Sequence, residues 1–212
     1  MFKITKDEPV FFTNAKKKVK LPLVSSAWRE IGNDKKGFKT ELREHILLEE
    51  QNMVCAYCEQ EIESDGNSSN TDHFKTRNLF PKETLNYENL LVSCKNKSHC
   101  EYIKDKFGLN ISDYTKIINP VLEDPDSFFE YGIAGDILVK NGLTNLENEK
   151  AKFTIKVFRL DDISLEKDRR RVVHMLQSYK NQNFEINEIF RFLSDYKSFI
   201  ECIYPKLKKK ES

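Results

Sequence analysis

Cys55-Ala56-Tyr57-Cys58, then Thr71-Asp72-His73-Phe74, then Tyr87-Glu88-Asn89-Leu90-Leu91, then Cys94, Cys100 and Lys104: the stretch from Cys55 to Lys104 decides how this chain is read. Four of the five cysteines fall inside it as two close pairs, with an acidic residue and a histidine between them. Zinc prefers four soft or borderline ligands in a tetrahedron, and C-x2-C supplies two from one turn. The second pair, Cys94 and Cys100, is wider, but its five-residue insertion still lets the two thiolates converge. The spacing points to a structural zinc site of Cys55, Cys58, Cys94 and Cys100, with His99 a rival ligand because it adjoins Cys100. A redox C-x2-C is disfavoured, since no thioredoxin-like βαβ pattern surrounds it. Cys202 lies on an apolar helical stripe and reads as core.

Outward from this stretch, composition bounds the class. With 212 residues, 39% hydrophobic and 33% charged, the chain can bury a sizeable core and is not a disordered composition. The net charge of +1 announces no global field for nucleic acid, so any such surface must be a local patch. No apolar run is long enough for a membrane span, and Met1 to Lys6 lack the apolar core of a secretory signal. The expectation is a cytoplasmic protein, whose reduced cysteines favour metal over disulfide.

Three segments follow. Residues 1–39 read as a basic, Pro-punctuated N-terminal arm and lead-in, extended over residues 1–25 and serving assembly more than chemistry. Residues 40–120 hold the cysteines. They open on a helix from Thr40, a candidate N-cap, through Glu50. A strand is expected at Thr71–Phe74, a short strand or turn at Tyr87–Ser93, and a short helix from Cys100 closed by Gly108. Residues 121–212 combine strand signals at Phe128–Lys140 and Phe153–Leu160 with a capped helix from Ser164 and a second from Ile186 to Tyr204. Lys206–Lys210 reads as a frayed tail, and the aromatic-rich stretch from Phe184 to Tyr204 as core or a docking face. The fold class is α+β.

Asp72-His73 is the candidate catalytic pair. A histidine near its ordinary pKa of about 6.5 takes a proton from water at neutral pH, and the adjacent carboxylate is a hard oxygen ligand suited to Mg²⁺ or Mn²⁺. Phosphodiester hydrolysis needs both an activated water and a cation for the charge on phosphate and leaving oxygen. Lys75, Lys95, Lys97, Lys104 and Lys106 are candidates for tracking a nucleic-acid backbone, against the plainer reading of solvated surface lysines. Arg169-Arg170-Arg171 is a phosphate or acidic-partner patch or an exposed helix face, and His45 and His174 read as structural.

The order C-x2-C, Asp-His, Asn-Leu-x3-Cys, Cys-x3-Lys resembles the HNH endonucleases, with their zinc-stapled ββα-metal core. The resemblance implies His73 as general base, Asp72 as ligand of a catalytic Mg²⁺ or Mn²⁺, and Asn89 as the residue that orients the loop carrying the histidine. It implies Lys104 as a phosphate-facing lysine. After the last cysteine, where that family usually carries His or Asn, this chain has Glu101, a carboxylate that also suits Mg²⁺. The flanks narrow the match: Trp28, Cys-Ala-Tyr-Cys-Glu, His-Phe-Lys, Asn-Tyr-Glu-Asn-Leu, Ile-Asn-Pro and Phe-Glu-Tyr followed by Gly resemble the HNH proteins of Septu and Septu-bearing retron anti-phage systems. That resemblance implies a toxic nuclease subunit acting beside a separate ATPase, and in retron systems beside a reverse transcriptase and its msDNA. No phosphate-binding P-loop occurs in the chain itself. The rival reading is a non-catalytic zinc module that binds nucleic acid or protein within such a complex.

Overall fold

The computed structural model describes residues 1–179 and 184–208. In chain order, helix α1 (Val10–Lys16), a single turn α2 (Ala27–Glu30) and helix α3 (Phe38–His45) lead to strands β1 (Ser69–His73) and β2 (Leu90–Cys94). Helix α4 (Glu101–Lys106) follows, then strands β3 (Phe129–Tyr131) and β4 (Ile137–Val139). Helices α5 (Asn145–Phe158), α6 (Ile163–Tyr179), α7 (Ile186–Ile189) and α8 (Lys197–Lys208) complete it. Both sheets are antiparallel pairs, so the architecture is α+β. No described helix is long and apolar enough to cross a membrane.

A two-stranded hairpin is marginal by itself. Here β2 is buried along its whole length and its outer edge is covered. The Gln51 side chain accepts from the Val92 N–H at 2.8 Å and donates to the Val92 carbonyl at 2.9 Å, and the Ala56 N–H donates to the same carbonyl at 3.0 Å. The free edge of the hairpin is therefore that of β1. Beneath it Tyr57 stacks on Phe158 at 4.2 Å between centroids, and Phe74 lies against the same ring. The end of α5 thus carries the hairpin, and the Cys100 N–H donates to the Phe158 carbonyl at 2.8 Å.

Four expectations are corrected. The strand expected at Phe153–Leu160 is instead the second half of α5 and its exit. Phe153, Ile155 and Val157 alternate as a strand would. A capping box between Thr144 and Glu147 starts a helix upstream, however, and Ala151, Thr154 and Phe158 fall on one buried face at helical spacing. The N-terminal arm is not extended: α1 interrupts it, and Met1, Ile4, Phe12, Ala15 and Val19 are buried in the common core. The Lys6 side chain is buried too, its ammonium on the Glu50 carboxylate and 2.8 Å from the Leu90 carbonyl. Glu50 faces inward because the chain after α3 winds into a π turn over Ile46–Glu50, where it also accepts from the Tyr87 hydroxyl at 2.7 Å. Helix α3 begins at Phe38 behind Gly37, whose φ of +81° suits glycine, so Thr40 lies inside the helix rather than at its cap.

The fourth concerns the last helix, which breaks into α7 and α8. Tyr196 has a φ of +55° at the break, and its N–H donates to the Glu59 carbonyl at 2.9 Å. Leu193, Phe199, Ile200, Ile203 and Tyr204 are core, although Phe192 is exposed. Lys206 and Lys208 belong to α8, while Lys209 and Lys210 lie outside the described residues. Helix α6 is capped by Asp162, which accepts from the Ser164 N–H at 3.0 Å.

Candidate metal centre and active site

The four cysteines come from three places: Cys55 and Cys58 from the loop after the π turn, Cys94 from the end of β2, and Cys100 from the residue before α4. All four are buried and unpaired as disulfides. Their sulfurs lie within 4.8 Å of one another, with Cys55–Cys100 at 3.8 Å and Cys58–Cys94 at 3.9 Å. A tetrahedral zinc with Zn–S of about 2.3 Å needs an S–S edge of about 3.8 Å, so the residues fit the ion. The Cys94 N–H points at the Cys55 sulfur at 3.3 Å, as a backbone amide does toward a thiolate. Cys100 holds φ +61°, ψ −142°, a conformation rare outside glycine and costing on the order of 1–3 kcal/mol. In return it aims its sulfur into the cluster and starts α4. His99 is buried, with Nδ1 3.0 Å from the Cys100 sulfur and 3.8 Å from that of Cys94. It borders the thiols and stands outside the four that converge.

Beside this cluster a cleft of about 490 Å³ runs along the free edge of β1. Residues on both strand faces line it, from Asn70 to His73, because it meets the strand edge-on. Asn70 and Asp72 turn toward α4. Asn70 donates to the Glu101 carboxylate at 2.8 Å, and the Lys104 ammonium donates to both oxygens of Asp72 at 2.6 and 2.7 Å. The Tyr57 hydroxyl also donates to Asp72. Asp72, Glu101 and Asp105 offer oxygens within 4.8 Å of one another, a hard donor set of the kind Mg²⁺ or Mn²⁺ takes. Lys104 and Tyr57 occupy three of the roughly four lone-pair directions on Asp72, leaving one. Burial, and after it the charge of Asp72, pushes Glu101 up to about 8. Burial opposes the charge of Lys104, yet Asp72 and Asp105 together hold its pKa above the ordinary lysine value.

His73 lines the same cleft, 6% exposed. Its Nε2 lies 3.0 Å from the Thr84 carbonyl, which only accepts, so Nε2 carries the proton and the lone pair of the neutral ring is on Nδ1. Burial is the largest influence on the ring and lowers it to about 4 against the opposing charge of Asp72, so the imidazole is neutral at pH 7. Trp28 stands edge-on to it, 4.7 Å between centroids. Asn89 fixes the chain that leaves β1 after His73. Its Oδ1 accepts from the Lys75 N–H at 2.7 Å, and its Nδ2 donates to the Lys75 and Glu83 carbonyls at 3.0 and 3.1 Å.

Asp72, His73 and Glu101, named from the sequence, thus share one cleft, with Asn89 bonded to the backbone behind it. Lys104, expected to face phosphate, is buried with its ammonium on Asp72. Lys75 is half-buried near the Phe80 ring, and Lys97 is exposed in a second cleft. Sequence reasoning missed Asp105, although Glu101 and Asp105 are spaced i, i+4 on one helix face, a readable signal. It also missed the Thr84 carbonyl, which no motif marks, and the Tyr57 hydroxyl, whose residue lies inside the C-x2-C motif but is overlooked when that motif is read for its cysteines alone.

By fold and site this is an α+β protein whose buried four-cysteine cluster can hold zinc beside a cleft of carboxylates and a neutral histidine. No family model matches the sequence. Among curated proteins it is similar to Septu protein PtuB of Bacillus thuringiensis, 28% identical over 160 residues, covering 70% of this chain and 56% of that protein. The similarity bears out the resemblance to Septu proteins drawn from the motifs. The chain spans about half the length of the relative it matches.

Proposed function

We propose that this chain is a metal-dependent HNH endonuclease that hydrolyses nucleic-acid phosphodiesters, as the toxic effector of an anti-phage defence system with a Septu-type ATPase partner. In this reading β1, β2 and α4 form a zinc-stapled ββα-metal unit. The observation that carries it is the neutral His73, tethered at Nε2 to the Thr84 carbonyl, in the same cleft as Asp72, Glu101 and Asp105. His73 accepts at Nδ1 the proton of the attacking water. Asn89 holds the segment that follows His73, so the ring stays aimed into the cleft. Asp72 and Glu101, with Asp105 beside them, hold Mg²⁺ or Mn²⁺, and Tyr57 and Lys104 fix the Asp72 carboxylate. A divalent cation, when bound, supplies positive charge for the phosphate and its leaving oxygen. The four cysteines hold zinc in a structural role. The likeness to PtuB supports a Septu partner, while a retron reverse transcriptase with its msDNA is suggested by the flanking motifs alone.

The test is a cleavage panel of plasmid DNA, single-stranded DNA and total tRNA, with and without Mg²⁺, and with and without the ATPase. Mg²⁺-dependent cutting that His73→Ala abolishes is the expected result. Cutting by His73→Ala at the wild-type rate would end the HNH mechanism and leave the non-catalytic zinc module as the reading.

A further inference from the structure

We propose that the cleft on the far side of the Glu101–Asp105 wall receives an unstacked base, with Tyr102 as its platform, so that the substrate is a single-stranded or locally unpaired stretch of polynucleotide. The inference rests on the nuclease reading above and adds the substrate's form. Two clefts share one wall: Asn70, Glu101 and Asp105 line both the His73 cleft and a second one of about 360 Å³. The second cleft adds Tyr102 and three exposed lysines, Lys95, Lys97 and Lys106. Lys106 holds its ammonium 4.1 Å from the centroid of the Tyr102 ring and donates to the Tyr102 hydroxyl at 2.6 Å. Lys95 is engaged with the Gly66 carbonyl. The charge of these two lysines is therefore directed at neutral groups and remains available to a phosphate. Lys106 covers one face of the ring, so a base stacks on the opposite face or displaces the ammonium, with its phosphates on the lysines, the pairing that single-stranded nucleic acid needs.

The geometry disfavours an intact duplex. Inside a helix each base has both faces covered by its neighbours, so a ring in a cleft wall meets a base only after that base leaves the stack. Asp72 and His73 are also recessed, 2% and 6% exposed. A flexible strand follows the wall from Tyr102 past Glu101 and Asp105 and seats a phosphate at that depth, whereas a duplex must first be opened or sharply bent.

Binding tests this separately from cutting. The protein is the 212-residue chain carrying His73→Ala, which leaves every residue lining the second cleft in place, and the probes are labelled unstructured DNA and RNA strands of roughly 12 nucleotides and the corresponding blunt DNA duplex. Strands of either sugar should bind more tightly than the duplex. Adding Tyr102→Ala should weaken strand binding by on the order of 10- to 100-fold while zinc content and melting stay put, and Tyr102→Phe should restore it. Lys97→Ala should lower the slope of log affinity against log salt by about 0.7. A duplex that binds more tightly than the strands, or Tyr102→Ala binding both strands like its parent, overturns the inference. If the wild-type protein cuts and Tyr102→Ala neither binds nor cuts differently, the inference fails alone. If strands bind through Tyr102 but the wild-type protein cuts nothing, the nuclease reading fails and the cleft stands as a strand-binding site.

Discussion

At Asp72 the structure changes what a mutation can report. This carboxylate is buried against the ammonium of Lys104 and the hydroxyl of Tyr57. Removing one partner of a buried ion pair strands the other, at a cost of about 3–5 kcal/mol. Asp72→Ala is therefore expected to lower the denaturation midpoint markedly, and urea titration measures it; an unchanged midpoint would mean that Lys104 finds another partner or water. The cation is better tested at Glu101, where Gln keeps an oxygen for the Asn70 amide. Glu101→Gln should fold normally, cut slowly, and recover in part as Mg²⁺ or Mn²⁺ is raised. His73→Ala should lose about 10²- to 10⁴-fold in rate and show no such recovery, because more cation supplies no base; rescue by Mn²⁺ would count against the assigned role. The sequence singled out Asp72, His73 and Glu101, which the structure brings to one cleft, because their order and spacing to the cysteines are local in the chain. The burial of Lys104 was hidden, since its counter-charge lies 32 residues away and a lysine on a short helix, here beside the exposed Lys106, looks like any solvated one.

Among elements, the hairpin and α4 were legible because turn residues and cysteines bracket them, while α5 was not. Its Thr154, Ile155 and Val157 carry strand preference, and only the capping box and the apolar face set by tertiary packing outweigh it. The N-terminal arm misled for a different reason. Its lysines and prolines suggested an extended arm, yet the Lys6 side chain is needed inside. Glu50, turned inward by the π turn, accepts from Lys6, the Asp7 N–H and the Tyr87 hydroxyl. Lys6→Ala should cost about 3–5 kcal/mol by leaving that carboxylate buried without its cation, whereas Lys17→Ala, an exposed residue of the same basic run, should stay within about 0.5 kcal/mol. Deleting residues 1–20 should accordingly lower stability, not assembly alone. If the truncated protein melts like the full chain, these residues are an appendage after all.

For the molecule as a whole, the four-cysteine cluster joins three separate segments of the chain at one point. It ties the knuckle loop to the end of β2, the strand paired with the β1 that carries Asp72, and to the start of α4, which carries Glu101. Glu59, next to Cys58, extends the tie to the C-terminal helices: its carbonyl accepts from the Tyr196 N–H and its carboxylate from the Ser198 N–H, both at 2.9 Å. Thiol burial opposes thiolate formation unless a cation is bound. Cys58 and Cys100 are pushed well above the ordinary thiol range, chiefly by desolvation, so without metal they hold protons that crowd four sulfurs into a space sized for one ion. One zinc per chain is therefore expected by elemental analysis, with a contribution to folding of roughly 10 kcal/mol or more. Cys58→Ser, or a strong chelator, should expose β1, β2 and α4 to hydrogen exchange together, and should also loosen the first turn of α8 through Glu59. Cys202→Ser, at a cysteine that packs on β3, should leave zinc content unchanged. Zinc-free protein that melts at the same temperature and keeps its exchange protection would remove the staple. The cleft geometry would then have to come from the apolar packing of Tyr57, Phe74 and Phe158 alone.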